Sequence, residues 1–481
     1  MSEHTPGSSE FKRSLGLLDA TMIVVGSMIG SGIFIVSADI TRNVGSAGWL
    51  ILVWILTGVL TLTAALSYGE LSGMFPKAGG QYVYLKEAFN PLVGFLFGWS
   101  FFSVIQAGSI AAVGVAFGKF TSYIIPSLGE KHILLDLGLI KISAAQVTAI
   151  LLIVVLTWIN SRGVKEGKWI QTTFTLAKII ALAGLVIFGF LLAARGDVAA
   201  ANWSTGFRLG SLDNGGQLLP YAGLAALGAI AGSMVGSLFS SDSWNNVTFI
   251  AGEIKRPERN IGLSLFLGTM IVTAIYVATN LMYVYVLPLH DIAFAENDRV
   301  GVVASQQIFG DSGTKVIAVL LMISTFGCDN GLILSGARVY YTMARDGLFF
   351  RKAGVLNKNA VPGKALWMQC IWASLLCLSG KYGELLDYVI FVVLIFYILT
   401  IIGIFRLRRT KPHVPRPYKA FGYPVLPMIY IVLASCICLL LLVYKPKYTW
   451  PGLGIVLLGI PLYYFLRDRI TANPHPRSDI S

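Results

Sequence analysis

Apolar positions fill long stretches of the chain, and polar ones fall between these stretches rather than within them. Twelve stretches can be read, at about 17–40, 47–74, 88–125, 143–160, 169–194, 219–251, 261–288, 314–345, 365–379, 384–406, 423–444 and 450–466. Most hold 18 residues or more, enough for a helix to cross about 30 Å of hydrocarbon. Residues 147–159 (VTAILLIVVLTWI) show no alternation, which argues against the strands of a membrane barrel. The pattern predicts an all-α polytopic membrane protein with twelve transmembrane helices.

Composition fits that reading. Of 481 residues, 55% are hydrophobic and 13% charged, about half the charge of an average soluble protein. The formal charge of +13, from 37 basic and 24 acidic residues, would suggest nucleic acid in a soluble chain. Its placement points elsewhere, and no nucleic-acid partner is expected. With the amino terminus inside, the cytoplasmic segments collect about 24 basic residues and the outer loops about 10. Cytoplasmic loops attract Lys and Arg, so both termini (1–14 and 467–481) are expected in the cytoplasm of a multi-pass cell-membrane protein. The polar start MSEHTPGSSE, with no small-residue cleavage site after it, predicts no removable leader. Cys328, Cys370, Cys377, Cys436 and Cys438 all fall in apolar stretches and are expected as small core residues, without a disulfide framework or a metal site.

Three basic residues lie within spans. Lys119 and Arg338 are near span ends, where long side chains reach the interface. Lys178 lies deep in span 5, where a charge costs at least about 2.5–3.5 kcal/mol. It is either a functional ammonium or one satisfied by a structural acid or carbonyl.

Two spans are interrupted. GSMIGSGIF (26–34) puts three glycines and two serines inside span 1, and GSLFSSDSWNN (236–246) puts four serines and an aspartate inside span 6. Small residues also serve close helix packing. Spans 1 and 6 are five apart, however, the relation of two inverted repeats that each begin on a discontinuous helix. Repeat one would cover 15–194 (helices 1–5) and repeat two 195–406 (helices 6–10), with helices 11–12 in 407–466. A broken helix exposes N–H groups to an anion and C=O groups to a cation, and a free amino acid carries both charges.

GSMIGSGIF, YGELSGMFPKAGGQYVYL (68–85), WNNVTFIAGEIKRPERNI (244–261) and FGCDNGLILSGARVYYTMARDGLF (326–349) resemble the amino acid–polyamine–organocation superfamily. Within it the likeness is to the L-type amino acid transporters and their bacterial relatives, over about residues 15–410. The resemblance implies the leucine-transporter type of fold, a 5+5 inverted repeat working by alternating access.

Residue by residue, the resemblance implies that the backbone of Gly30, Ser31 and Gly32 holds the substrate carboxylate. It implies that carbonyls of Ser27, Met28 and Phe239 accept from its ammonium, and that the Phe239 ring closes over it. Ser240, Ser241, Asp242 and Asn245 complete the substrate-binding set, with Ile105, Gln106 and Ser240 shaping the pocket. Lys178 resembles the span 5 lysine that replaces a sodium ion, its ammonium reaching helix 1 carbonyls and the hydroxyl of Ser324 or Thr325, so transport is expected without sodium. Asp242 stands where mammalian members have glycine, and can bind a proton, hold a structural hydrogen bond or face a cationic group. Asp329 is a second acid of the same kind. Lys178 and Asp242 are the expected coupling residues. Residues 126–142 lack the cysteine by which mammalian members attach a glycoprotein, so no disulfide-linked subunit is expected.

The chain has no GxxxxGK[ST], no HExxH and no nucleophile triad, which excludes an enzyme or an ATP-driven pump of those types and implies no cofactor. The expected function is secondary transport of neutral L-amino acids, by exchange or proton-coupled uptake. The alternatives are a polyamine or cationic amino acid transporter, or an amino-acid sensor on a transporter fold.

Overall fold

The structure is a computed structural model that describes residues 11–136, 141–378 and 382–472. The first ten residues, read as a leaderless start, and 473–481 of the expected tail lie outside the described residues. The first interrupted span gives α1 (Leu17–Met28) and α2 (Val36–Val44), followed by α3 (Ala47–Met74), α4 (Gln81–Ala88), α5 (Pro91–Ser100) and α6 (Gln106–Thr121). After the hairpin β1 (Ile133–Asp136) and β2 (Lys141–Ser143) come α7 (Ala144–Arg162), α8 (Val164–Phe188) and α9 (Gly196–Ser204). A second hairpin, β3 (Gly210–Leu212) and β4 (Leu218–Pro220), leads to α10 (Leu224–Ser240), α11 (Asn246–Phe249) and α12 (Pro257–Val286). The remainder is α13 (Leu289–Ala293), α14 (Val300–Phe309), α15 (Gly313–Arg345), α16 (Gly363–Leu378), α17 (Tyr382–Thr410), α18 (Val425–Tyr444) and α19 (Pro446–Ala472).

Among the described residues, nine helical segments are long and apolar enough to cross a membrane, and three shorter apolar helices accompany them: α1, α10 and α16. The 28 residues of α3 extend over about 42 Å at about 1.5 Å per residue. α3 packs along α12, where Gly69 and Gly262 abut: a Cβ on either would lie 3.6 Å from the other's Cα. Small residues at such a crossing let two backbones approach where lipid offers no hydrophobic drive. α18 and α19 turn large apolar side chains outward, Val432, Leu439, Val443 and Leu458 among them.

One end of the bundle is closed by polar contacts. The Ser14 and Leu15 amides donate to the Glu253 carbonyl at 2.9 and 3.0 Å, and the Lys255 amide donates to the Leu15 carbonyl at 2.8 Å. Phe11 meets Tyr341 edge-on, with ring centroids 5.1 Å apart. Here Arg338 departs from its expected snorkelling: it is fully buried, donating from Nε to Glu253 Oε1 at 2.8 Å and from Nη2 to Oε2 at 3.3 Å. The countercharge that the chain brings back just after α11 holds the guanidinium inside. Lys119 does reach outward, to Glu130 at 2.8 Å. Four of the five cysteines are buried, whereas Cys436 is exposed on α18 and is not a core residue.

Candidate substrate site between two helix breaks

Both expected interruptions are real breaks in helix. After α1, Ile29 is extended (φ −76°, ψ 99°), Gly32–Phe34 form one 3-10 turn, and α2 resumes beyond Ile35. After α10, Ser243 takes a left-handed φ of 65° before α11 begins at Asn246. A helix that stops leaves its last carbonyls without intrahelical donors, and inside a membrane water cannot supply them. Other helices supply them here. Lys178 Nζ, fully buried on α8, donates to the Gly26 and Ile29 carbonyls at 2.6 Å each and reaches the Ser324 carbonyl at 3.4 Å. The Ser324 hydroxyl donates to Ile29 and Gly30 at 3.2 and 3.0 Å. Cys328 Sγ donates to the Ser27 carbonyl at 3.0 Å.

Of the two hydroxyls named for Lys178, Ser324 is at the site, but the ammonium meets its carbonyl. The Thr325 hydroxyl turns back to the Leu321 carbonyl of its own helix at 2.7 Å and takes no part. Tyr276 on α12 went unnoticed in the sequence. Its hydroxyl lies 3.1 Å from the Met28 carbonyl and 2.9 Å from the Ser240 carbonyl, joining the carboxyl ends of α1 and α10. One proton serves both acceptors in turn.

Ser27, Met28, Gly30, Ser31, Gly32, Phe239, Ser240 and Asp242 line one small cavity between the breaks. α6 contributes Ser109 and Val113 to its wall, and α15 contributes Cys328 and Leu332. Ser241 and Asn245 are not in this wall. Ser241 borders a second cavity beside Trp244 and Tyr430, while Asn245 borders a third with Ile105 and Gln106 and donates to Gln81 Oε1 at 2.9 Å. Asp242 borders all three. Its Oδ1 accepts from the Tyr397 hydroxyl at 2.6 Å, and the rings of Tyr397, Trp244 and Tyr68 pack on one another at 4.7–5.9 Å.

The two glycines of the first break differ. A Cβ on Gly32 would fall 2.8 Å from the Ser240 Cβ and 3.3 Å from its Cα, so the missing side chain admits α10. A Cβ on Gly30 would meet only the Cys328 side chain, with Sγ at 3.4 Å and Cβ at 4.0 Å. The amides of Gly30 and Gly32 make no backbone hydrogen bond among the described residues. The site therefore offers uncommitted N–H groups beside a carboxylate and a row of carbonyls, the donor and acceptor sets that a zwitterion needs.

A polytopic helical bundle organised around two broken helices is a membrane-transport architecture. The chain belongs to the amino acid permease family, whose model matches residues 15–459. It is similar to the large neutral amino acids transporter small subunit 2 of Homo sapiens, 30% identical over 95% of this chain and 81% of that protein. It is 28% identical to the b(0,+)-type amino acid transporter 1 of Homo sapiens, over 96% of this chain and 89% of that one. The Asc-type amino acid transporter 1 of Mus musculus is likewise 28% identical, over 94% of this chain and 81% of its own length. These relatives bear out the L-type resemblance, and amino acid transport is the activity class of the chain.

Proposed function

We propose that this chain moves amino acids across the cell membrane without sodium, by alternating access about the cavity between the two breaks. The observation that carries this reading is Lys178, whose ammonium occupies the freed carbonyls of Gly26 and Ile29. A fixed cation at the helix 1 break leaves a metal ion no role there. The nine long and three short apolar helices, with breaks five spans apart, support twelve spans in a 5+5 inverted repeat with both termini cytoplasmic. The absence of cysteine from 126–142 supports assembly without a disulfide-linked subunit.

Gly30–Gly32 amides take the substrate carboxylate, and the Ser27, Met28 and Phe239 carbonyls take its ammonium. The leading substrates are neutral L-amino acids. A second reading, a cationic side chain, is favoured by Asp242, a carboxylate beside three aromatic rings with no basic partner among the described residues. Counterflow in proteoliposomes, sodium-free, against twenty amino acids tests both. Exchange of neutral substrates is expected, unchanged by added sodium. If lysine or arginine exchanges as well, Asp242→Asn should abolish that exchange and spare neutral substrates. Strict sodium dependence would sink the proposal.

A further inference from the structure

Asn246, the first residue of α11, is buried, and its side-chain Nδ2 has no hydrogen-bond partner among the described residues. It borders the cavity that also takes in Asp242, Ile105 and Gln106. Other amides in that wall are provided for. Asn245 donates to Gln81 Oε1 at 2.9 Å, Gln81 Nε2 donates to the Thr400 hydroxyl at 3.1 Å, and Gln106 Nε2 donates to the Leu332 carbonyl at 2.7 Å. A bare donor inside a protein forfeits its hydration for nothing, so native structures keep few of them.

Asp242 brings the complementary need to the same cavity. Its carboxylate only accepts, and it keeps lone pairs beyond the one that takes the Tyr397 hydroxyl. A group that completes both residues must accept from Asn246 and donate to Asp242. An ammonium or guanidinium only donates and leaves Asn246 bare. A carboxylate only accepts and meets Asp242 as a like charge, and a hydrocarbon does neither. A hydroxyl or a carboxamide does both.

Reach separates these two. Asp242 borders the cavity between the breaks as well as this one, whereas Asn246 is absent from the wall of the first. An amino acid whose charged ends sit at the breaks has to extend its side chain past Asp242 to meet Asn246. The hydroxyls of serine and threonine are carried on Cβ and stop short. Tyrosine has the length but brings a ring, and the wall already holds Phe97, Phe101 and Phe396, whose rings pack at 5.3 and 5.4 Å. A carboxamide on two methylenes has the length and is slender.

We propose that Asn246 and Asp242 form a side-chain subsite for a carboxamide: the substrate's amide nitrogen donates to Asp242, its carbonyl oxygen accepts from Asn246 Nδ2, and glutamine is the preferred neutral amino acid. The inference rests on the transport reading above and names the substrate class of that same site.

Counterflow in proteoliposomes with glutamine, its apolar near-isostere methionine, glutamate, ornithine and tyrosine tests the pairing. Glutamine should exchange at least about tenfold better than each of the other four, because a site built to bond a polar group rejects the analogue that lacks it. Asn246→Leu keeps the size of the side chain and removes the donor. It should lower glutamine exchange by about tenfold and leave methionine exchange within about twofold, so that the preference disappears. Asn246→Ala replaces the leucine variant if that variant does not fold. Equal exchange of glutamine and methionine by the wild type, a preference for glutamate, ornithine or tyrosine, or a glutamine preference that survives loss of the Asn246 amide would each overturn the proposal. Absence of counterflow with every amino acid counts instead against the transport reading. Thermal unfolding with added glutamine then still decides whether the subsite exists: glutamine should stabilise the wild type and not Asn246→Leu, and equal shifts would overturn it.

Discussion

Lys178 shows how one side chain can make a break in a helix tolerable. Each carbonyl left unpaired in a membrane interior costs about 1–3 kcal/mol, and the ammonium takes two of those at the α1 terminus. Gly30 and Gly32, two residues apart, differ in what surrounds them: the missing side chain of Gly32 admits Ser240 of α10, whereas a Cβ on Gly30 would make only ordinary contact with Cys328. Gly32→Ala pushes a methyl group into Ser240, so it should destabilise by about 1–3 kcal/mol. Gly30→Ala should keep wild-type thermal stability and weaken only substrate binding; thermal unfolding with and without substrate separates the two. Equal losses of stability would show that the cavity does not distinguish them. Lys178 was legible in the sequence because a charge in an apolar run is conspicuous. Tyr276 was not, since one Tyr among several in α12 looks like packing, and choosing Ser324 over Thr325 requires the rotational phase of α15, which hydrophobic pattern does not fix when a helix is buried on most sides.

Helix breaks are legible for a related reason: clustered Gly, Ser and Asp interrupt an otherwise apolar run, and both interruptions fall where that pattern puts them. The π-helical turn Phe101–Ile105, between α5 and α6, left no such trace, because all five residues suit an ordinary helix. It matters nonetheless, since Phe101 and Ile105 border the cavity beside Asp242. The two short strand pairs were equally invisible: β1 is a brief apolar run (Ile-Leu-Leu-Asp) without alternation, and β2, β3 and β4 have three residues each. The join between α15 and the segment after α11 was also missed, because pairing Arg338 with Glu253 needs contact across 85 positions. Removing one partner of a buried pair strands the other charge, at about 3–5 kcal/mol. Arg338→Met should therefore lower thermal stability strongly, and Glu253→Gln added to it should recover part of the loss. Additive losses in the double variant would mean that the pair contributes no coupling.

For the molecule as a whole, the distribution of basic residues predicts which face meets the cytoplasm. A membrane-impermeant maleimide should label Lys131→Cys in intact cells and Lys352→Cys only after permeabilisation; the reverse pattern would invert the orientation. On that expectation the closed end faces the cytoplasm. Glu253 holds the amino-terminal segment through its carbonyl and α15 through its carboxylate. Loosening either contact disturbs the residue on which the other depends, so this end unlocks as a single event. Half-open molecules, through which water and small ions would run down their gradients, are then expected to be rare. A bilayer crowded with this protein should stay electrically tight, which the decay of an ion gradient across densely loaded liposomes would measure.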